Sequence, residues 1–263
     1  MITLITGNQP RHIFFGNQIS KIIKIENWVL EKRENFVTVG KEKNNLSVLE
    51  NLHFKKREKA ELKFFGNKKK ISNNVENIIE INKEELNNGS LKEKLKKSKN
   101  INLMSYGCHK IEKNLLDLFK LNKINIHGGL SPWYRGVITH FWPSYLLEPE
   151  YTGMTMHNLS NDIDGGDVLH QYSVKLNEHD GIHENACRCV KAFSNQLIKI
   201  INNNHFKAEL RGIRKNTHGR IWTSRMWNPM VLDVVYKFYK DRINSFCLKT
   251  RKIKKPKLDS IFL

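Results

Sequence analysis

The chain has 263 residues, of which 39% are hydrophobic and 10% aromatic, and its 45 Lys and Arg against 26 Asp and Glu give a formal net charge of +19. This length predicts one large domain, or a domain of about 170 to 200 residues with a smaller appendage, and the hydrophobic content argues against a disordered chain. No apolar run reaches the ~18 residues of a membrane span, the N-terminus does not resemble a signal peptide, and the four cysteines lack disulfide spacing, so we expect a reduced, cytoplasmic protein with no membrane span.

Predicted strands and helices alternate along the chain. Residues 2–6 predict a first strand, which a turn at Gly7 and Asn8 connects to a helix near 12–23. Residues 31–100 predict surface helices around one or two strands, with helices in 45–63 and 83–99 and an apolar run at 75–81. Beyond them we predict strands at 101–107, 123–127, 151–159 and 167–174, and helices at 113–120 and 181–203.

This order of elements favours an α/β fold that is Rossmann-like, with a mostly parallel twisted sheet flanked by helices and a small C-terminal extension. We assign residues 1–205 to the main domain and residues 206–263 to a basic extension that packs on it, with only its last stretch loose. Residues 205–263 hold 15 Lys and Arg against 4 Asp and Glu. The segment 251–257 is therefore expected to face an anionic group, such as substrate phosphates, a membrane surface or RNA.

Two regions carry residues suited to chemistry. Asn125 and His127 lie two apart at the end of a predicted strand, so their side chains project to the same side. In a parallel sheet, ligands bind beyond the carboxyl ends of the strands, which brings the segment 105–108 beside 125–129. The loop between the last two predicted strands contains Asp164 followed by two glycines, which let the backbone turn sharply and a ligand approach closely.

An amide, an imidazole and a carboxylate suit the transfer of an acyl group to an amine. Asn125 could donate a hydrogen bond to the oxyanion of a tetrahedral intermediate, and His127 could stabilise that oxyanion or move the proton of the amine. Asp164 could orient the imidazole and favour its charged form. No covalent nucleophile is required, because a neutral amine is itself nucleophilic.

The run NIHGGLSPWYRG followed by TGMTMHNLSNDIDGGD resembles the folate-dependent formyltransferase family, which includes glycinamide ribonucleotide, methionyl-tRNA and sugar-nucleotide formyltransferases. The shared pattern is Asn-x-His, a Pro-x-Tyr-Arg-Gly loop, Thr-Gly-x-Thr-x-His, and an aspartate seven residues after that histidine. The resemblance covers about residues 101–175. It implies that the 1–205 domain is the catalytic domain and that Asn125, His127 and Asp164 are its catalytic residues.

The resemblance also implies the ligands. The co-substrate would be N10-formyltetrahydrofolate, with no metal, because the histidines lack a ligand spacing such as HExxH. The pterin ring would contact Ser105, Tyr106, Gly107, Cys108, Ile111, Asn161 and Asp162. To the acceptor substrate we assign Asn8, Arg11, Trp133, Tyr134, Arg135 and Gly136.

Three acceptor classes compete. The wording of the LSPWYRG and HFWPSYLLEPEYTGMT segments most resembles enzymes that formylate a nucleotide-diphosphate amino sugar, such as GDP-perosamine N-formyltransferases, for lipopolysaccharide and O-antigen synthesis. The stretch after the 181–203 helix is expected to be too short for the C-terminal barrel of methionyl-tRNA formyltransferases. Glycinamide ribonucleotide formyltransferases are shorter than this chain. The nucleotide and the position of the amine stay open.

A different class also stays open, a non-catalytic RNA-binding protein built on the same core. Clustered aromatic and basic RNA-binding signatures are missing from the sequence, so we expect no nucleic-acid partner. The apolar segment FYKDRINSFCL near the C-terminus is consistent with a homodimer.

Overall fold

The computed structural model describes residues 1–33, 46–66, 70–215 and 219–263. Its strands are β1 (Ile2–Gly7), β2 (Ile25–Glu31), β3 (Val75–Ile81), β4 (Leu103–Tyr106), β5 (Lys123–His127), β6 (Tyr134–Gly136), β7 (Gly153–Asn158), β8 (Val168–Ser173) and β9 (Arg220–Trp222). Its α-helices are α1 (Pro10–Ile19), α2 (Val48–Phe65), α3 (Ser90–Leu95), α4 (Lys113–Leu116), α5 (Trp142–Tyr145), α6 (Ile182–Ile200) and α7 (Ile243–Thr250).

Seven strands form the main sheet, in the order β3-β2-β1-β4-β5-β7-β8. The first five are mutually parallel, and β7 and β8 are antiparallel to their neighbours. The predicted mostly parallel α/β fold is therefore confirmed. Strand β1 is buried along its whole length, as expected for a central parallel strand that is covered on both faces.

Helices α1, α2 and α6 pack against one another. Helix α6 carries its apolar residues at three- and four-residue spacing, and these side chains join the core formed by β1, β5 and β7. Cys187 and Cys189 are buried on this helix. Helix α2 begins at a capping box in which Ser47 and Glu50 each accept a hydrogen bond from the other residue's backbone N–H.

The residues after α6 pack against the domain through a second core. This core contains Trp222, Leu232 and Val235 together with Phe141 and Trp142 of the segment before β7, and the Trp142 and Trp222 rings stack at 4.3 Å between centroids. The last stretch of the chain, which we expected to be loose, instead pairs with the edge of β8. Asp259 accepts from the Gln171 backbone N–H at 2.9 Å, and the Ile261 N–H donates to the Leu169 carbonyl at 2.9 Å. Strand β8 is an edge strand, and its unpaired backbone groups explain why the C-terminal segment is bound there and is not loose.

Three local predictions differ from the structure. The sequence did not indicate β2, although it pairs with both β1 and β3. The predicted 83–99 helix is interrupted, because Gly89 has a φ of +94° and α3 begins only at Ser90. Strands β6 and β9 form a two-stranded parallel sheet where a loop was expected. Within the described ranges, no helix combines the length and apolar composition needed to cross a membrane.

Candidate active site

The ends of three adjacent strands bring the polar residues together. Ser105 on β4 lies opposite Asn125 on β5, and Asn125 lies opposite His157 on the antiparallel β7. Residues that are paired across neighbouring strands share one face of the sheet, so these side chains meet. The chain then returns through the loop that follows β7, which carries Asp164 to the same place.

Asn125 is held by three side chains. Its Oδ1 accepts a hydrogen bond from Ser105 Oγ at 2.9 Å, which fixes the orientation of the amide and points Nδ2 the other way. Nδ2 lies 3.3 Å from Asp164 Oδ1 and 3.2 Å from His157 Nε2. His157 Nδ1 is 2.9 Å from the Asn158 carbonyl, which can only accept, so Nδ1 is the nitrogen that carries a proton. The Asn125 amide hydrogens therefore face the carboxylate and the lone pair of Nε2.

His127 lies between a carbonyl and a carboxylate. Its Nε2 donates to the Tyr134 carbonyl oxygen at 2.9 Å, and its Nδ1 lies 3.3 Å from Asp164 Oδ2. The Gly136 N–H donates to the same Oδ2 at 2.9 Å. Asp164 thus contacts both Asn125 and His127, and the three side chains form one hydrogen-bonded unit.

The loop that carries Asp164 has an unusual backbone. Asp164 has a φ of +47°, in the left-handed region that aspartate tolerates better than most residues. A Cβ at Gly166 would lie 1.7 Å from the Asn158 carbonyl oxygen, so only glycine fits there. Ser131 Oγ donates to the Asp164 carbonyl at 3.1 Å. These contacts turn the carboxylate inward, towards β5.

Burial and charge act in opposite directions on the two ionisable groups. Burial lowers the pKa of His127 below its ordinary value, although the Asp164 carboxylate and the Tyr134 carbonyl favour the protonated ring. Burial alone would raise the pKa of Asp164, but the charge of His127, the neighbouring His157 ring and the hydrogen bond from the Gly136 N–H hold that pKa well below its usual range. Asp164 is consequently a carboxylate at neutral pH.

These residues line a cavity of ≈ 530 Å³. Its wall includes the segment 105–111 and the loop 159–164. It also includes Arg11, Arg57 and Cys187 of α1, α2 and α6, together with Phe141 and Trp227. Asn125, His127 and Asp164 belong to the same wall.

The formyl transferase family model matches residues 36–201, which is more than half of the chain. The chain belongs to the formyl transferase family. Among curated relatives, the bifunctional polymyxin resistance protein ArnA of Wigglesworthia glossinidia brevipalpis is 33% identical over 95 residues, 35% of this chain and 14% of that protein. A methionyl-tRNA formyltransferase of Buchnera aphidicola is 25% identical over 148 residues, 53% of this chain and 46% of that protein. The chain thus spans less than half the length of these two relatives.

Solved structures of formyltransferases share the fold. A 4-N formyltransferase from Francisella tularensis is 18% identical, covers 84% of this chain and 76% of its own, and superposes with a TM-score of 0.53. The N-formyltransferase from Helicobacter canadensis, in complex with folinic acid and dTDP-3-aminofucose, is 21% identical, with 87% and 73% coverage and a TM-score of 0.51. At this level of identity the likeness concerns the fold.

The seven residues that the family resemblance assigned to the pterin ring all lie on the cavity wall. They are Ser105, Tyr106, Gly107, Cys108, Ile111, Asn161 and Asp162. The first five belong to the end of β4 and the segment after it, and the last two belong to the loop before Asp164. The two segments line the same cavity, although they are about fifty residues apart in the sequence.

The six residues assigned to the acceptor are divided between two environments. Arg11 and Gly136 line the cavity, whereas Asn8, Trp133, Tyr134 and Arg135 do not contribute to its wall. Tyr134 stacks on Trp222 at 6.2 Å between ring centroids and donates through its hydroxyl to Glu148 at 2.6 Å. The pairing of β6 with β9 turns this side chain away from the cavity.

The other three are held by nearby groups. Asn8 accepts a hydrogen bond from the Arg33 backbone N–H at 3.2 Å, and the Trp133 ring packs edge-on against Tyr151 at 5.5 Å. Arg135 packs behind Gly165 and donates to the Gly219 carbonyl at 3.4 Å. A role for Trp133 or Arg135 in acceptor binding remains a prediction.

Helix α2 also contributes to the cavity, which was not predicted from the sequence. His53, Arg57 and Glu61 lie four residues apart on one face of this helix and line the cavity. Glu61 forms ion pairs with both Arg11 and Arg57. A four-residue spacing of such groups on a predicted helix was the available signal. Among the described residues, no group of three or more His, Cys, Asp or Glu side chains has a geometry that could hold a metal ion.

Buried histidines at the cavity make the stability of the protein sensitive to acid. Burial, assisted by the charge of Arg57, lowers the pKa of His53 to about 3. The unfolded chain protonates this ring below pH ~6.5 while the folded protein does not, so its contribution is complete above pH ~6.5 and is lost as the pH falls towards 3. At pH 5 the free energy of unfolding should be about 2 kcal/mol lower than at pH 7 from His53 alone.

The variant His53→Asn removes the titrating ring and should therefore lose about 2 kcal/mol less than the wild type between pH 7 and pH 5. Urea unfolding at both pH values measures the difference. His179→Asn is the control, because that side chain is 81% exposed and should keep the wild-type dependence. An equal loss in wild type and both variants would contradict the role of His53.

Proposed function

We propose that this protein transfers the formyl group of N10-formyltetrahydrofolate to the amine of a nucleotide-linked amino sugar, of the 4-amino-4,6-dideoxy type used in lipopolysaccharide and O-antigen synthesis. The observation that carries the proposal is the position of Asn125, His127 and Asp164. They form one hydrogen-bonded unit on the wall of a cavity that is also lined by the segment 105–111 and by residues of α1, α2 and α6. A two-substrate transfer needs such an arrangement, because both reactants must meet at the catalytic groups.

In the proposed reaction the neutral acceptor amine attacks the formyl carbon and forms a tetrahedral intermediate. Asn125 Nδ2 turns from Asp164 to donate to the oxyanion, and a protonated His127 stabilises the same charge. The amine then loses a proton, the bond between the formyl carbon and N10 breaks, and N10 takes up a proton. Asp164 keeps His127 oriented and stabilises its charged form, since its own pKa is held low.

The folate is proposed to bind at the part of the cavity wall that segment 105–111 and loop 159–164 form. Backbone groups after the end of a strand suit the amide-like edge of a pterin. Leu116 and Ile111 line the cavity there and offer apolar contacts. The folinic acid in the Helicobacter canadensis enzyme supports this choice of co-substrate. The proposed chemistry uses no metal ion.

The acceptor is proposed to bind at the part of the cavity wall that α1 and α2 form. Arg11 and Arg57 place guanidinium groups on that wall, and guanidinium forks suit phosphate oxygens. Trp227 and Phe141 add aromatic faces on which a deoxysugar or a base can pack. The dTDP-3-aminofucose in the Helicobacter canadensis structure supports a sugar nucleotide.

Methionyl-tRNA is the second candidate acceptor, because methionyl-tRNA formyltransferases are among the curated relatives. Glycinamide ribonucleotide is a third, since structures of its transformylases also share the fold. Both alternatives use the same folate chemistry and differ only in the amine. The amine therefore has to be identified by assay.

The deciding experiment measures release of tetrahydrofolate from N10-formyltetrahydrofolate with a panel of amines. The panel holds 3-amino and 4-amino sugar nucleotides with different bases, glycinamide ribonucleotide and methionyl-tRNA. We expect release with one amino sugar nucleotide. Release only with methionyl-tRNA would replace the proposed acceptor, and absence of release with every amine would contradict the proposed function.

A further inference from the structure

Glu31 is a fully buried carboxylate close to the cavity, and neither the family pattern nor the proposed chemistry uses it. It is the last residue of β2, its side chain is 0% exposed, and it does not line the cavity itself. A buried charge is costly unless it is paired and hydrogen-bonded. The partners of Glu31 therefore indicate what it does.

Those partners belong to the segment that follows β4. Glu31 Oε2 accepts a hydrogen bond from the His109 backbone N–H at 2.8 Å, and Oε1 contacts the His109 ring at Nδ1. Arg33 is also nearby, with its Nη1 3.8 Å from Oε1. Because His109 is the midpoint of segment 107–111, Glu31 is bonded to the centre of the proposed pterin-binding wall.

The contact spans one strand of the sheet. Strand β1 lies between β2 and β4, and Glu31 is paired in register with Gly7 at the end of β1. A Cβ at Gly7 would lie 2.5 Å from His12 Nδ1 and 2.9 Å from Arg33 Cγ, so no side chain fits there. The glycine thus leaves room beside the end of β1 for the His12 ring and for the Arg33 side chain, which lies next to Glu31.

Segment 107–111 has no helix or strand of its own to fix its shape. A backbone N–H that donates to a carboxylate forms a charge-assisted hydrogen bond, which is stronger than a hydrogen bond between neutral groups. Because Glu31 is fully buried, water cannot take the place of the His109 N–H. We propose that Glu31 is a positioning residue that holds segment 107–111 in the conformation that binds the pterin ring of the folate. This inference rests on the proposed function.

The test compares Glu31→Gln with Glu26→Gln. Glu26 lies near the start of the same strand, is 9% exposed, and also accepts a backbone N–H bond, from Lys99 at 2.8 Å, but it does not line the cavity. The two variants therefore remove equivalent buried charges at opposite ends of β2. Binding of 5-formyltetrahydrofolate to each purified protein is measured by calorimetry, and hydrogen exchange of segment 107–111 is followed by mass spectrometry.

We expect the Kd for 5-formyltetrahydrofolate to rise about tenfold in Glu31→Gln and to stay within about twofold of wild type in Glu26→Gln. Exchange in segment 107–111 should become faster only in Glu31→Gln, without ligand present. In the transfer assay, KM for the folate should rise while kcat at saturation is kept, since the catalytic groups are untouched.

Other outcomes overturn the inference in distinguishable ways. Equal Kd values for Glu31→Gln and Glu26→Gln would refute the positioning role, whether or not both variants lose thermal stability. Faster exchange of segment 107–111 with an unchanged Kd would refute it as well, since the conformation would not matter for binding. Absence of folate binding by the wild type would overturn the proposed function together with this inference.

Discussion

Replacing Asn125 by alanine is expected to lower kcat by about 10² to 10³, because one oxyanion donor contributes roughly that factor. The same change at His127 should lower kcat by about 10² to 10⁴, the range for a positioned acid or base. Ser105 and His157 hold the Asn125 amide beside Asp164, so only its Nδ2 has to turn towards the oxyanion. This donor acts on the oxyanion and not on the bound substrate, so the expected loss falls on kcat.

Both variants should still bind folate, because the proposed pterin contacts lie after β4 and in the loop 159–164 and not on β5. Asn27→Ala is a matched control. Asn27 is 2% exposed on β2, donates to Ser98 Oγ at 2.9 Å, and lies away from the cavity. Its loss should reduce stability without reducing kcat. Wild-type kcat in both Asn125→Ala and His127→Ala would refute the proposed mechanism.

The shared direction of the Asn125 and His127 side chains could be predicted from the sequence because its signals are local. Asn125 and His127 are separated by one buried isoleucine, and that alternation sets the direction of both side chains. The proximity of segment 105–108 also follows from a general property of parallel sheets, in which successive strands end at one edge. Asp164 was found through its glycines and its spacing from His157, which the structure explains by the turn at Gly166.

The rest of the cavity wall depends on contacts between residues that are far apart in the sequence, so it could not be predicted. Arg11 and Glu61 are fifty residues apart and meet only because α1 packs beside α2. Tyr134 was assigned to the acceptor, but it pairs with a strand that begins at Arg220 and stacks on Trp222. Strand β2 was missed because its sequence, IENWVLE, mixes charged and apolar residues, although all seven are buried. Neither propensity nor periodicity contains this information.

Asp164 offers the sharpest test of the proposed catalytic unit, because it contacts both other members. Asp164→Asn keeps the shape of the side chain but removes the charge that favours a protonated His127. The pKa of His127 should then fall further, since burial is no longer opposed by the carboxylate. We expect kcat to decrease by roughly 10³ to 10⁴, the contribution of an aspartate that orients a catalytic imidazole.

The matched control for this change is Asp167→Asn, three residues further along the same loop. Asp167 is half-buried and does not line the cavity, so its neutralisation should leave kcat unchanged. The pH dependence of kcat separates the two roles of Asp164. If Asp164 acts by keeping His127 charged, lowering the pH should restore part of the activity of Asp164→Asn, because protonation of the ring then no longer needs the carboxylate. If activity does not recover at any pH at which the protein stays folded, Asp164 acts instead by orienting Asn125 and His127, and its hydrogen bonds matter more than its charge.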